Sequence, residues 1–137
     1  MLNNKTILVT GGTGSFGAKF TSEVLKKYPR IKKLIIFSRD ELKQHTLREK
    51  YSKHKNSKKL RFFLGDIRDQ ERLDLAFKNV DIVVHAAALK QVDTAEYNPT
   101  EFIKTNILGS QNVMYAAEKN NVKKVIALST DKASSPI

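Results

Sequence analysis

The chain contains no cysteine. Disulfides and thiolate metal sites are therefore excluded. No apolar run approaches the ~20 residues of a membrane-spanning helix, and Met1-Leu2-Asn3-Asn4 lacks the charged-then-apolar layout of a signal peptide. A cytoplasmic protein with no membrane partner is the expectation. Histidine is sparse, and His45, His54 and His85 have no metal-like spacing, so no metal is expected. His85 reads as a packed or hydrogen-bonded residue at a strand end. There is no internal repeat, no nucleophile elbow and no paired-carboxylate site.

Acidic residues are also few relative to basic ones, and the formal net charge is +11. Between Lys43 and Arg61 there are eight Lys or Arg and a single Glu. A solvated helix face and loop explain such a run most simply. A nucleic-acid patch is the alternative, but Tyr51 is the only aromatic residue in the tract, which leaves little for base stacking. Nucleic acid is not the expected partner. A basic rim would also steer phosphorylated ligands inward.

What is present is concentrated at the N-terminus. Residues 6–17 read T-I-L-V-T-G-G-T-G-S-F-G. An apolar strand (Ile7, Leu8, Val9) runs into glycines at 12, 14 and 17, and a helical pattern follows. Unpaired N–H groups at a helix start aim at whatever occupies the turn. Glycine there lets a pyrophosphate approach without a Cβ in the way. The turn residues expected to hold a dinucleotide are Gly11, Thr13, Gly14, Ser15, Phe16 and Gly17. The strand–turn–helix context is what makes this G-x-G-x-x-G credible.

Apolar runs then alternate with helical patterns. Strands are predicted at Thr6–Thr10, Leu34–Phe37, Leu60–Leu64, Asp81–His85 and Lys124–Leu128. Helices are predicted at Ser15–Tyr28, Glu41–Tyr51 and Glu71–Phe77, and from Asn98-Pro99 to about Lys119. The first should carry Phe16, Phe20, Val24 and Leu25 on one face. Ser38 and Glu41 fit a capping box for the second. The last should bury Phe102, Ile103, Ile107, Val113 and Ala117. A Lys-rich loop is predicted over 50–61. Regular alternation of strand and helix implies an α/β, doubly wound, Rossmann-type parallel sheet with helices on both faces and order 3-2-1-4-5. Such a fold normally carries a sixth strand. Residues 1–137 thus read as the cofactor-binding, N-terminal part of a longer enzyme, with an incomplete sheet and no substrate lobe.

Strand ends supply the remaining candidates. After strand two come Ser38, Arg39 and Asp40. Arg39 stands where an NAD site usually places its acid, and a guanidinium there can pair a 2′-phosphate. NADP is favoured, with Lys43 assisting, while Asp40 keeps NAD open. Asp66 and Ile67 end strand three, where a carboxylate can accept from an adenine amino group and the isoleucine can cover the ring. Ala86, Ala87 and Ala88 end strand four and let a flat cofactor pass. Lys90 follows within reach of phosphate or substrate. Thr130, Asp131 and Lys132 lie just past strand five, where a hydroxyl, an acid and an amine could polarise an alcohol and move protons.

Together these pieces resemble the extended short-chain dehydrogenase/reductase superfamily: T-G-G-T-G-S-F-G (10–17), F-S-R-D-E-L-K (37–43), G-D-I-R-D (65–69), H-A-A-A-L-K (85–90), A-E-Y-N-P (95–99), K-T-N-I-L-G (104–109) and L-S-T-D-K-A (128–133). The set is most similar to the inverting UDP-N-acetylglucosamine 4,6-dehydratases of bacterial surface-sugar synthesis. The resemblance implies NADP as cofactor and UDP-N-acetylglucosamine as substrate, while a homo-oligomer is expected because a missing sheet edge and lobe should expose apolar surface. It implies oxidation at C4, loss of water across C5–C6, and reprotonation of C5 on the opposite face. Lys132 would be the base at C5, Asp131 the acid at the C6 hydroxyl, and Thr130 the polariser at C4. The resemblance places the family's catalytic Tyr-x-x-x-Lys motif shortly after Ile137, so the 137-residue piece alone is expected to be inactive. A UDP-N-acetylglucosamine epimerase of capsule synthesis is an alternative, as is a non-catalytic NADP-sensing or nucleic-acid-binding module.

Overall fold

A computed structural model describes residues 2–86 and 99–128, with backbone alone over 99–106. Five strands form one parallel sheet: β1 (Thr6–Thr10), β2 (Lys33–Ser38), β3 (Leu60–Leu64), β4 (Ile82–His85) and β5 (Lys124–Ala127). Their order is β3-β2-β1-β4-β5, as the alternation of elements predicts. The helices are α1 (Ser15–Lys27), α2 (Glu41–Lys50), α3 (Gln70–Ala76) and α4 (Pro99–Lys119), with a 3-10 turn at Ser57–Lys59.

The strands are covered on both faces, and alternation within each strand sorts the side chains. Ile7 and Val9 of β1, with Leu34 and Ile36 of β2, join Val24 and Leu25 of α1 and Leu47 of α2. Leu8 and Phe37 point the other way, into a second core with Leu73 of α3 and Val113, Ala116 and Ala117 of α4. Each such aliphatic side chain contributes roughly 1.5–3 kcal/mol by leaving water. Burial on both faces explains why the strand sequences read as apolar runs.

Phe16, Phe20, Val24 and Leu25 share one face of α1 as expected, all in one core cluster, while two other expectations differ from the structure. Phe16 and Phe20 are only partly buried and stack on each other, centroids 5.8 Å apart. Ile107 is 53% exposed. Val113 and Ala117 are buried as expected, and Gly109, Asn112 and Ala116 complete the buried face of α4, because small residues let the helix settle on the sheet. Phe102 and Ile103 lie outside the described side chains. The Lys-rich 50–61 segment is not one loop, since Lys50 ends α2, a 3-10 turn covers Ser57–Lys59, and Leu60 already starts β3.

The connections at the start of the strands are closely tied. Thr6 donates its N–H to Asp81 Oδ2 at 2.8 Å, and Asp81 returns its own N–H to the Thr6 carbonyl at 2.9 Å. Asn79 and Asn121 adopt the left-handed conformation just after α3 and α4, a common way to close a helix C-terminus.

At the far end of β1 and β4, the His85 ring is 2% exposed. Its Nδ1 lies 2.7 Å from Thr10 Oγ1 and its Nε2 lies 3.4 Å from Ser110 Oγ of α4. A neutral ring suits this setting, since one nitrogen accepts while the other donates. Burial lowers its pKa from 6.5 to about 4. The unfolded chain therefore binds a proton below about pH 6.5 that the folded chain refuses until about pH 4. Stability from this site is complete above pH 6.5 and is lost as pH falls toward 4. Urea unfolding should show a loss of about 2 kcal/mol between pH 7.5 and pH 5. The loss should largely vanish in His85→Gln. An undiminished loss in that variant would place its origin elsewhere.

Candidate functional site

Because all strands are parallel, their carboxyl ends share one edge of the sheet. Thr10 closes β1 and the chain turns at Gly11, whose φ of 65° suits glycine. Gly14 N–H donates to the Gly11 carbonyl at 3.0 Å, closing the turn, and Gly12 N–H ties it to the Phe37 carbonyl of β2 at 3.2 Å. A Cβ at Gly17 would lie 2.4 Å from the Gly12 carbonyl oxygen, so α1 rests directly on the turn's backbone.

Gly14 is different. Its φ of −74° suits any residue, and an added Cβ would meet only the Gly11 carbonyl oxygen, at an ordinary 3.4 Å. The fold itself does not require glycine at this position. Gly14 is also the extended N-cap of the thirteen-residue α1, with no side-chain cap and no acid in the first turn. Ala18 N–H returns to the Gly14 carbonyl. The helix start, at Ser15, Phe16 and Gly17, thus presents its positive end to a space without Cβ cover. Ser15 is exposed, and Thr13 is half-buried beside it.

The tip of β2 is built differently from the capping-box expectation. Ser38 ends the strand and is buried. Its hydroxyl accepts from Gln44 Nε2 at 2.9 Å rather than capping α2. The cap is Asp40, whose Oδ1 accepts from Lys43 N–H at 3.0 Å. The chain leaves the sheet at Ser38 and turns only at Asp40, two residues too late for a Ser38 cap. Asp40 is thereby held as a helix cap, and Lys43 is exposed in the first turn.

Gln44 was not visible as a site residue in the sequence. Its buried amide also donates to the Ser38 and Phe63 carbonyls, each at 3.2 Å. One side chain thereby fixes the start of α2 to the tips of β2 and β3. Nothing in a polar helix marks such a residue beforehand, because its partners are 6 and 19 positions away.

Arg39 and Asp66 meet across these two tips, 3.7 Å apart, with Arg39 more than half exposed. Arg68 holds the same carboxylate from the other side, its Nε at 3.2 Å from both oxygens and its backbone N–H at 2.9 Å from Oδ1. Partial burial pushes the Asp66 pKa up. The Arg68 hydrogen bonds, and then the Arg68 and Arg39 charges, outweigh it and hold the carboxyl below its ordinary value. Asp66 is ionised at neutral pH, and Arg39 faces outward beside it.

Ile67 does not offer its side chain to the edge. It is buried in the second core, and a Cβ on Gly109 would come within 2.4 Å of its Cδ1. Its carbonyl accepts from Asn112 Nδ2 at 3.0 Å. The expectation that Ile67 covers a ring fails here, because α4 already occupies its side chain. Ala86 follows His85 at the end of β4 and is buried. Ala87, Ala88 and Lys90, and the Thr130-Asp131-Lys132 triplet, lie outside the described residues.

The structure thus gathers the glycine turn, Ser38, Arg39, Asp40, Lys43, Asp66 and Ala86 at one sheet edge. An amide-lined helix start, an outward guanidinium and a small-residue floor suit an elongated ligand carrying a diphosphate. Among the described residues no cluster of His, Asp or Glu has the arrangement of a metal site, and no helix is long and apolar enough to cross a membrane.

Comparison with known proteins agrees with this geometry. The pattern of the family described as "Polysaccharide biosynthesis protein" matches residues 7–137. The chain is 56% identical over 137 residues to a UDP-N-acetylglucosamine 4,6-dehydratase (inverting) of Campylobacter jejuni strain 81-176, covering all of this chain and 40% of that protein. It is 52% identical over 139 residues to a UDP-glucose 4-epimerase of Rickettsia bellii, again covering 40% of the relative. Among solved structures, Pen from Bacillus thuringiensis matches with a TM-score of 0.86 and 41% identity, over 99% of this chain and 40% of that one. The DesIV double mutant from Streptomyces venezuelae, a dTDP-glucose 4,6-dehydratase with NAD and DAU bound, matches with a TM-score of 0.79 and 30% identity, over 96% and 41%. The chain spans about 40% of the length of the curated relatives it matches. It resembles the N-terminal part of the inverting dehydratases and shares its fold with sugar-nucleotide dehydratases. With residues 7–137 inside the family pattern, the chain belongs to the polysaccharide biosynthesis protein family.

Proposed function

We propose that residues 1–137 form the NADP-binding part of a C5-inverting UDP-N-acetylglucosamine 4,6-dehydratase. The observation that carries the cofactor reading is Gly14. Its missing side chain is not required by the fold, yet it leaves the uncapped start of α1 open. A diphosphate there would accept from the N–H groups at Ser15, Phe16 and Gly17, with Gly11 and Thr13 shaping the turn around it. Arg39 supports NADP over NAD, since its exposed guanidinium can pair a 2′-phosphate. Asp40 and Ser38 hold the backbone that carries Arg39, and Lys43 adds positive charge beside it. Asp66 would accept from the adenine amino group with whatever capacity its arginines leave. Ala86, Ala87 and Ala88 would leave room for the cofactor over β4, and Lys90 would meet phosphate or substrate.

A bound nicotinamide supplies the site with a hydride acceptor and donor. The chain's own residues would manage the protons. Following the resemblance, Thr130 would polarise the C4 oxygen, Lys132 would take the C5 proton, and Asp131 would protonate the departing C6 hydroxyl. Turnover belongs to the whole protein, and this portion alone would bind cofactor without converting sugar. A homo-oligomer and a cytoplasmic location complete the proposal. Ile107, Leu108, Met114 and Tyr115 are exposed on α4, where a second copy could cover them.

The second reading is a 4-epimerase, favoured by the name of the Rickettsia relatives. Mass analysis of the product decides between them: a dehydratase yields a product lighter by one water, and an epimerase does not change the mass.

Two binding measurements test the cofactor site. By titration calorimetry NADP⁺ should bind more tightly than NAD⁺. Arg39→Ala should weaken NADP⁺ by roughly tenfold or more while leaving NAD⁺ nearly unchanged, in line with about 1.5–3 kcal/mol for a hydrogen bond to a charged group. Equal loss for both cofactors would refute a 2′-phosphate contact. Gly14→Ser should keep or raise Tm, because Ser is a favoured N-cap in this extended conformation, yet abolish nucleotide binding. Retained binding in that variant would sink the diphosphate assignment.

A further inference from the structure

The opposite edge of the sheet carries a feature that the cofactor reading does not use. A parallel sheet with returning helices brings every strand start and every helix end to that edge. It comprises residues 2–5 and the last turn of each helix, then each following connection to the second residue of the next strand. Lys5 precedes β1, Lys32 and Lys33 open β2, Arg61 is the second residue of β3, and Lys123 and Lys124 open β5. Lys26 and Lys27 end α1, Arg48 and Lys50 end α2, and Lys119 ends α4. Arg30, Lys53, Lys55, Lys58, Lys59 and Lys78 lie in the connections.

That is seventeen of the chain's twenty-five Lys and Arg, against four of its fourteen Asp and Glu: Glu49, Asp74, Asp81 and Glu118. The surplus of thirteen exceeds the net charge of the whole chain, +11. Among the described residues, the other six basic and seven acidic ones leave a deficit of one. The charge is therefore polarised along the strand axis.

Helix ends explain only part of this. Cations in a last turn answer the negative end of the helix, which accounts for five of the seventeen. Lys27 pairs with Glu23 and Lys119 with Asp74. Lys59 donates to the Pro29 carbonyl, and Arg61 to the Lys58 carbonyl. Most of the others are exposed lysines in the connections, where no fold requirement calls for positive charge.

We infer that this edge docks the protein on an anionic lipid bilayer, with the strand-tip edge facing away from it. Three features favour a bilayer over nucleic acid. Fourteen of the seventeen cations are Lys, a hydrated point charge suited to a diffuse negative surface rather than to bidentate base readout. Tyr51 is buried, and Tyr28 is the only large exposed aromatic side chain on this edge, so a stacking platform is absent from the described residues. The five strand starts span roughly 20 Å in one row, a broad front matched to a plane. A polar recess of about 430 Å³ lined by Asn4, Lys32, Lys33, Lys78 and Asn79 could admit a phosphate headgroup. Asp81 also borders it, with its carboxylate engaged by Thr6 N–H. Docking of this kind needs no membrane-spanning helix, and surface lysines contribute additively to it.

Flotation of the purified protein with lipid vesicles tests the inference, independently of cofactor binding. Vesicles of phosphatidylcholine with 30% phosphatidylglycerol should bind at least tenfold more protein than phosphatidylcholine alone, at low ionic strength. Binding should collapse in 0.5 M NaCl. A triple variant, Lys53→Glu, Lys55→Glu and Lys58→Glu, should lower partitioning at least tenfold. A second, Lys32→Glu with Lys78→Glu, should do the same, and Lys19→Glu on the body of α1 should not. Circular dichroism and NADP⁺ affinity should be unchanged in all three. Equal binding to neutral and anionic vesicles, no effect of either edge variant, or tighter binding to duplex DNA than to anionic vesicles would overturn it.

Discussion

Parallel hydrogen bonding between β1 and its neighbours is the constraint on which the rest depends. Thr10 pairs with Phe37 on one side and with His85 on the other. In that register the chain must leave every strand at one edge and return through a helix to the opposite one. The glycine turn, the Arg39–Asp66 contact and the end of β4 thereby become neighbours, although they come from positions 11 to 86. The same constraint collects the helix ends and strand starts at the other edge, with their lysines.

Polar side chains then adjust what the register brings together. Gln44 joins α2 to the ends of β2 and β3 through its Nε2, whose two hydrogens are shared among three acceptors. Arg72 stacks over the Phe63 ring at 4.3 Å and donates to the Leu64 carbonyl at 2.8 Å. Asn112 reaches from α4 to the Ile67 carbonyl. These bonds add side-chain donors to backbone carbonyls where the strands end, beside the Gly65 N–H that the Ser38 carbonyl also accepts. The candidate site is consequently held by residues that need not touch a ligand.

Much of this was readable beforehand. Apolar runs of Ile, Val and Leu located all five strands within a residue or so, and the β–α alternation led to the observed strand order. His85 was read as packed or bonded, and it is both. The misreadings have a common cause. Ser38 was assigned as a cap because its spacing to Glu41 fits one, but the spacing carries no information about where the strand releases the chain. Ile107 and Ile67 were assigned by type, as core and as ligand cover. Which apolar residue is buried depends on how closely α4 approaches the sheet, and Gly109 and Ala116 decide that.

The amino-acid sequence by itself determined the elements, their order, the glycine turn and the excess of positive charge, since each is a matter of local pattern or composition. Only the tertiary structure decided which groups meet. It paired Arg39 with Asp66 and placed Gln44 under both strand tips. It left Gly14 as the glycine that the fold can do without, and among the described residues it gathered the positive excess at one edge. The reason is physical: local pattern acts within a few residues, whereas contacts between strand tips follow from packing that no single segment encodes.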